Sequence, residues 1–172
     1  YSSVMFNNYF RTLKLKNLCV VSPDVGSIKL CRATSSALGA DIAIVDKRRP
    51  KPNVSEVMNL IGDVDGKNVL IRDDMVDTGG SIVSAAYFVK ERGALDVYAA
   101  CTHGVLSGQA IEKIEKSPIK KLIFSDSIDH SKSKLSNKFE VLSCAELIGE
   151  AIQRISDEES VSSLFEDQPL VS

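Results

Sequence analysis

Apolar positions along the chain follow two periods, short runs of strand length and stretches at helical spacing, and the two alternate. Residues 18–21 (L-C-V-V) read as a buried strand ending in Ser22, Pro23 and Asp24, and residues 26–38 as a helix stopped by Gly39. Residues 41–46 (D-I-A-I-V-D) form the next strand and 57–64 a further one, with Asp65-Gly66 as the turn signal into 69–72. Beyond these come a helix over 82–92, a strand over 97–101 and a helix over 107–116. Strands over 122–125 and 139–142 and a helix over 144–155 complete the series. This order predicts an α/β fold, a mainly parallel sheet with helices on both faces and right-handed crossovers. Residues 1–17 have weak periodicity and read as a lead-in or the end of a preceding unit. Residues 18–165 form one compact domain, and 166–172 a tail.

Within this pattern the stretch N-V-L-I-R-D-D-M-V-D-T-G-G-S, residues 68–81, carries the densest chemistry. A strand ending at Arg72 delivers Asp73 and Asp74 to the end of the sheet. Asp77, Thr78, Gly79, Gly80 and Ser81 then turn into a helix. Glycines admit a ligand close to the backbone, and the free N–H groups of a first helical turn favour a phosphate. Two carboxylates just upstream can accept hydrogen bonds from a vicinal diol, so the spacing suits a phosphorylated sugar. Paired aspartates and Gly-Gly also make ordinary turns and caps, and both readings stand at this level. Arg72 is unusual in a central strand unless it reaches the sheet's end or meets a carboxylate.

Composition narrows the picture. The 172 residues are 44% hydrophobic and 26% charged, with a net charge of −2, which provides no general attraction to nucleic acid or to an anionic membrane. Against that background Lys47, Arg48, Arg49 and Lys51 stand with Pro50 and Pro52 in one short segment, expected as an exposed mobile loop. It is either a solvated loop without a role or a source of cations for polyphosphate chemistry. Cys19, Cys31, Cys101 and Cys144 have no metal-ligand spacing and read as reduced, buried thiols of a cytosolic protein. His103 reads as a strand-end histidine held by a hydrogen bond, with a catalytic role as the other reading, and His130 as exposed. No apolar run approaches the roughly 20 residues that span a bilayer, and the chain opens on Tyr1, which leaves room for residues upstream.

Five landmarks now stand in order: S-P-D at 22–24, K-R-R-P at 47–50, D-D-M-V-D-T-G-G-S at 73–81, T-H-G with S-G over 102–108, and E-E-S-V-S-S-L-F at 158–165. Together they closely resemble the ribose-phosphate pyrophosphokinases, the synthetases of phosphoribosyl pyrophosphate, over residues 18–165. The resemblance implies a type I phosphoribosyltransferase-like fold and the C-terminal one of two such domains. It also implies transfer of the diphosphoryl group of ATP to the 1-hydroxyl of ribose 5-phosphate for nucleotide biosynthesis, in the cytoplasm.

By this likeness the loop matching Asp77, Thr78, Gly79, Gly80 and Ser81 holds the sugar phosphate, and Asp73 and Asp74 bind its hydroxyls. Lys47 and Arg49 lie on a catalytic loop that closes over the reacting phosphates, with Arg49 also at the ribose 5-phosphate. Asp24 takes part in Mg²⁺ binding. Dimers or hexamers, with ADP and inorganic phosphate as effectors between subunits, are implied as well, and Leu164 and Phe165 would pack on the domain or on a partner subunit. Three departures stand out: Ser81 for threonine, Ser27 for glycine and Arg72 for an apolar residue. The family's other half, with most of the adenine site and a metal-binding histidine, is not in this chain, which is expected to be a fragment. A phosphoribosyltransferase, a non-catalytic synthetase-associated regulatory subunit, and a sugar-phosphate-binding assembly domain are the alternatives.

Overall fold

The computed structural model describes residues 2–48 and 57–165. Seven strands form one sheet: β1 (Leu18–Ser22), β2 (Asp41–Arg48), β3 (Val57–Ile61), β4 (Asn68–Val76), β5 (Val97–Gly104), β6 (Ile119–Ser125) and β7 (Phe139–Leu142). Their spatial order is β3-β2-β1-β4-β5-β6-β7, parallel throughout except for the antiparallel β2–β3 pair. Five helices join them: α1 (Ser3–Thr12), α2 (Ile28–Leu38), α3 (Gly80–Lys90), α4 (Ala110–Glu115) and α5 (Ala145–Ser156).

Side chains alternate across the sheet, so each central strand feeds two cores. On β4, Val69 and Ile71 join Ile82, Ala86 and Val89 of α3 on one face, while Leu70 joins Phe6 and Phe10 of α1 and Cys31 of α2 on the other. The mainly parallel α/β sheet covered on both faces is therefore as the periodicity predicts. Strand order then places the site, because the chain runs outward from β1 in one direction and from β4 in the other. A crevice opens outside the carboxyl ends of two such neighbours, and ligands of open α/β sheets bind there.

Several boundaries differ from the sequence pattern, each because tertiary partners override local preference. Residues 1–17, read as a lead-in, contain α1, whose Phe6 is 0% and Phe10 3% exposed. Asn7, buried between them in sequence, interrupts the apolar stripe and masks its helical period. β4 continues past Arg72 to Val76 because β5 pairs with it, Asp73 opposite Cys101 and Val76 opposite Gly104. Asp73 and Asp74 thus stand within the strand, not just beyond its end.

β2 likewise runs on through Lys47 to Arg48, paired with Met58 and Val57 of β3 at the sheet's edge. Lys47 therefore begins as a strand residue at an edge where charge stays wet, not as a loop residue. β3 stops at Ile61 and lies beside β2, so Asp65-Gly66 is a turn but not a hairpin between β3 and β4. α4 starts at Ala110 instead of 107 because Leu106 and Gly108 adopt positive φ of 52° and 57°.

Among the described residues no helix is long and apolar enough to cross a membrane. Cys19, Cys31 and Cys101 are buried free thiols, whereas Cys144 is half-buried and donates its thiol to Asp126 Oδ1 at 2.8 Å. His130 is not simply exposed. It is half-buried, its Nε2 donates to the Gly104 carbonyl at 2.5 Å, and its ring meets Phe124 edge-on at 5.2 Å.

Asp126 holds the start of α5. Hydrogen bonds from the Cys144 thiol, the Ser143 hydroxyl and the Cys144 N–H lower its carboxyl pKa to about 2. A depressed carboxylate contributes stability above its unfolded value, about 3.9, and loses that contribution as pH falls through the folded one. The first turn of α5 is expected to loosen between roughly pH 4 and pH 2. Backbone chemical shifts of residues 145–148 report this, and Asp126→Asn is expected to show the loosened shifts already at neutral pH. Shifts that stay native-like in Asp126→Asn would count against the latch.

Candidate functional site

A cleft of about 530 Å³ opens at the crevice between β1 and β4. Asp24 and Ser27 line it from the β1–α2 turn, Asp73 and Asp74 from β4, and residues 77–81 from the turn into α3. Each wall is built locally. The Asp24 carboxylate accepts hydrogen bonds from the Gly26 N–H at 2.8 Å and the Ser27 N–H at 3.3 Å, which folds the chain back at the end of β1. Ser22 Oγ donates to the Asp24 carbonyl at 2.6 Å and steadies the same turn.

Asp73 is 8% exposed and accepts from Ser27 Oγ at 2.5 Å and from the Asp74 N–H at 2.9 Å. Burial raises its pKa, those hydrogen bonds pull it back, and the charges of Asp24 and Asp74 push it up again. Asp74 is exposed to the cleft's solvent. Three carboxylates thus crowd one end of the cleft, a cost that a bound cation or a row of hydroxyl donors would offset.

The other end is the glycine turn. Gly79 caps α3 at φ 76°, a left-handed conformation that side chains rarely adopt, and a Cβ there would lie 3.6 Å from Ala110. No side chain caps α3 and no acid occupies its first turn, so its leading N–H groups remain available to an anion. Asp77 does not point free. Its carboxylate accepts from Ser107 Oγ, and its carbonyl accepts from the Ser107 N–H at 3.0 Å. The Leu106–Gly108 turn therefore holds the glycine turn from behind, and Lys113 Nζ adds a contact to the Thr78 carbonyl at 3.5 Å.

The structure gathers Asp24, Asp73, Asp74, Asp77, Thr78, Gly79, Gly80 and Ser81 around this one cleft. Lys47 stands at its flank, where Nζ donates to the Ser81 carbonyl at 3.4 Å. Arg49 lies outside the described residues. His103 does not itself line the cleft, although it pairs with Met75, which does; its Nδ1 lies against Ser127 Oγ at 2.9 Å, in keeping with a strand-end histidine.

Sequence reasoning missed Lys29. Among the described residues lining the cleft it is the one basic residue, alongside four aspartates. The signal was available, since Lys29 falls in the first turn of α2, directly after the Ser22-Pro23-Asp24 strand end. Ser27 and Ser107 were missed as supports because their partners, Asp73 and Asp77, are remote in sequence.

The ribose-phosphate pyrophosphokinase of Chlorobaculum tepidum is 53% identical over 169 residues, which cover 98% of this chain and 52% of that protein. The crystal structure of phosphoribosylpyrophosphate synthetase from Mycobacterium smegmatis superposes with a TM-score of 0.83 at 30% identity, covering 91% of this chain and 51% of the other. The purine phosphoribosyltransferase from Pyrococcus horikoshii shares the fold, with a TM-score of 0.51 at 18% identity over 83% of this chain and 84% of that one. The chain spans about half the length of the curated relatives it matches. The type I phosphoribosyltransferase-like fold and the resemblance drawn from the five motifs are both borne out. The model of the phosphoribosyl synthetase-associated domain matches residues 29–166, most of the sequence, and the chain belongs to that family.

Proposed function

We propose that this chain is the ribose 5-phosphate-binding half of a cytoplasmic ribose-phosphate diphosphokinase, which transfers the β,γ-diphosphoryl group of ATP to the 1-hydroxyl of the sugar and releases AMP. The observation that carries this reading is one cleft with two chemistries at its two ends. The acid-free, glycine-capped first turn of α3 suits the 5-phosphate, and Asp73 with Asp74 suits the ribose hydroxyls.

Phosphoryl transfer depends mainly on positioning and charge neutralisation. The residues of this chain divide that work. Thr78, Gly79, Gly80 and Ser81 anchor the phosphate with backbone N–H and hydroxyl donors, and the Asp77–Ser107 bond keeps the turn in place. Asp73 and Asp74 orient the sugar ring so that its 1-hydroxyl faces the incoming diphosphoryl group. Lys47, held beside Ser81, neutralises charge on that group, with Arg49 in the same role.

Mg²⁺ fits the donor set. Burial of Asp73 beside the charged Asp24 and Asp74 calls for a hard cation, and Mg²⁺ is commonly bound by one or two carboxylates together with water and substrate phosphates. That mode needs no all-protein cage, and among the described residues no group of three or more His, Cys, Asp or Glu forms one. Asp24 would hold the ion, together with water and the substrate phosphates. When bound, it would screen the negative charge on the phosphates. We place the ATP base in the half of the protein beyond this chain. Dimers or hexamers, ADP and inorganic phosphate as effectors, and no nucleic acid or membrane partner complete the proposal.

Titrating ribose 5-phosphate into the 172-residue chain by calorimetry with Mg²⁺ present tests the reading. Saturable binding is expected, with no AMP formed on adding ATP. Asp77→Ala removes the latch on the turn and is expected to weaken binding by about 10- to 100-fold, the equivalent of one charged hydrogen bond. No binding by the parent chain, or Asp77→Ala binding as tightly as the parent, would reject the sugar-phosphate site.

A further inference from the structure

Arg72 is 0% exposed, and the largest side chain among those fully buried. Among the described residues no ion pair joins it to a carboxylate. Nη1 donates instead to the carbonyl of Asp73 and to that of Ala100 at 3.2 Å, while Nη2 reaches Thr102 Oγ1 at 3.5 Å. Its face lies over the Phe6 ring, 4.4 Å from the centroid, and Nε has no hydrogen-bond partner. Burial lowers its pKa to about 10, with neighbouring thiols and carboxylates opposing the fall, so the group stays charged near neutrality.

This is a poor arrangement for stability. A buried cation with no direct ion pair among the described residues and with one orphaned donor costs desolvation that an apolar side chain of similar length avoids. Its contacts share one feature. They join the carbonyl of a cleft aspartate on β4 to the end of β5, at the point where the β5–β6 register shifts between Cys101 and His103. Thr102, at that irregularity, is held from the other side by Ser2 Oγ at 2.7 Å, and its carbonyl accepts from Ser125 Oγ at 2.6 Å.

We propose that Arg72 is a positioning residue of the cleft, fixing the Asp73 carbonyl against the end of β5 and so setting where the Asp73 and Asp74 carboxylates stand. The proposal rests on the sugar-phosphate reading of the cleft. Nη1 joins two carbonyls from different strands while Nη2 reaches the Thr102 hydroxyl, a set of contacts that an aliphatic chain cannot make. The connected side chains Phe6 and Ser2 make α1 part of the same support.

Arg72→Met separates positioning from structural support. The variant is expected to melt at or above the parent temperature, yet to bind ribose 5-phosphate about tenfold more weakly. Amide hydrogen exchange is expected to quicken at Asp74 and Thr102 while the rest of the sheet is unchanged. A variant that fails to fold, or that melts lower with exchange raised across the sheet, would make Arg72 structural and overturn the proposal. Unchanged affinity together with unchanged exchange at Asp74 and Thr102 would overturn it too. If neither the parent nor the variant binds the sugar, the reading of the cleft fails separately, and the exchange pattern alone decides the role of Arg72.

Discussion

Lys47→Ala in the complete protein is expected, if the proposed function holds, to lower turnover by about 100- to 1000-fold and to leave ribose 5-phosphate affinity within about twofold. The split follows from where the residue sits. Lys47 lies near the end of β2, paired with Met58 of the edge strand β3, and meets the cleft through the Ser81 carbonyl, beside the turn that anchors the sugar. It is absent from the cleft lining itself, so ground-state binding of the sugar has little need of it. A charge that arrives with the diphosphoryl group stabilises the transition state more than the bound sugar, and removing it lowers kcat. Steady-state kinetics beside calorimetric affinity for the same variant check this. An equal loss in both would show that Lys47 holds the sugar, and would move the diphosphoryl contact to another residue, with the cleft-lining Lys29 as a candidate.

Phe6→Ala is expected to destabilise the fold by about 3–5 kcal/mol, the cost of emptying an aromatic site in a packed core. For a chain of this length that corresponds to a melting temperature lower by roughly 6–20 °C. The ring is fully buried in the core shared with Phe10, Val20 and Leu70, and it also carries the Arg72 guanidinium on its face. Its removal leaves a cavity beneath a buried cation. Urea unfolding of the variant measures the effect. A loss below about 1 kcal/mol would show that α1 is an accessory segment, as weak periodicity over residues 1–17 suggested.

How legible the site was in the sequence depends on the range of each interaction. Asp73 through Ser81 are contiguous, and their chemistry follows from a strand end, a glycine turn and a helix start, so the motif shows in residue order. Lys47 was legible as a cation but misplaced, because only the antiparallel partner β3 extends β2 past Asp46. Ser27 stands out in sequence merely as a serine where glycine is common. In the fold its hydroxyl is a donor to Asp73, which places the departure at the centre of the carboxylate cluster. Asp126 directly follows the strand read over 122–125, but its role in starting α5 depends on Ser143 and Cys144 returning to it.

Sequence alone determined the alternation of strands and helices, the two-sided parallel sheet, the glycine turn that opens α3 and the family to which the motifs point. Each of these rests on local periodicity and on residues a few positions apart, which a linear reading can resolve. Tertiary structure alone decided the strand order that sets Asp24 beside Asp73, the burial of α1, the approach of Lys29 to the cleft and the contacts of Arg72. The physical reason is that an apolar stripe records that a face must be covered, but not which distant element covers it. The identity of that element decides which polar groups meet inside the fold.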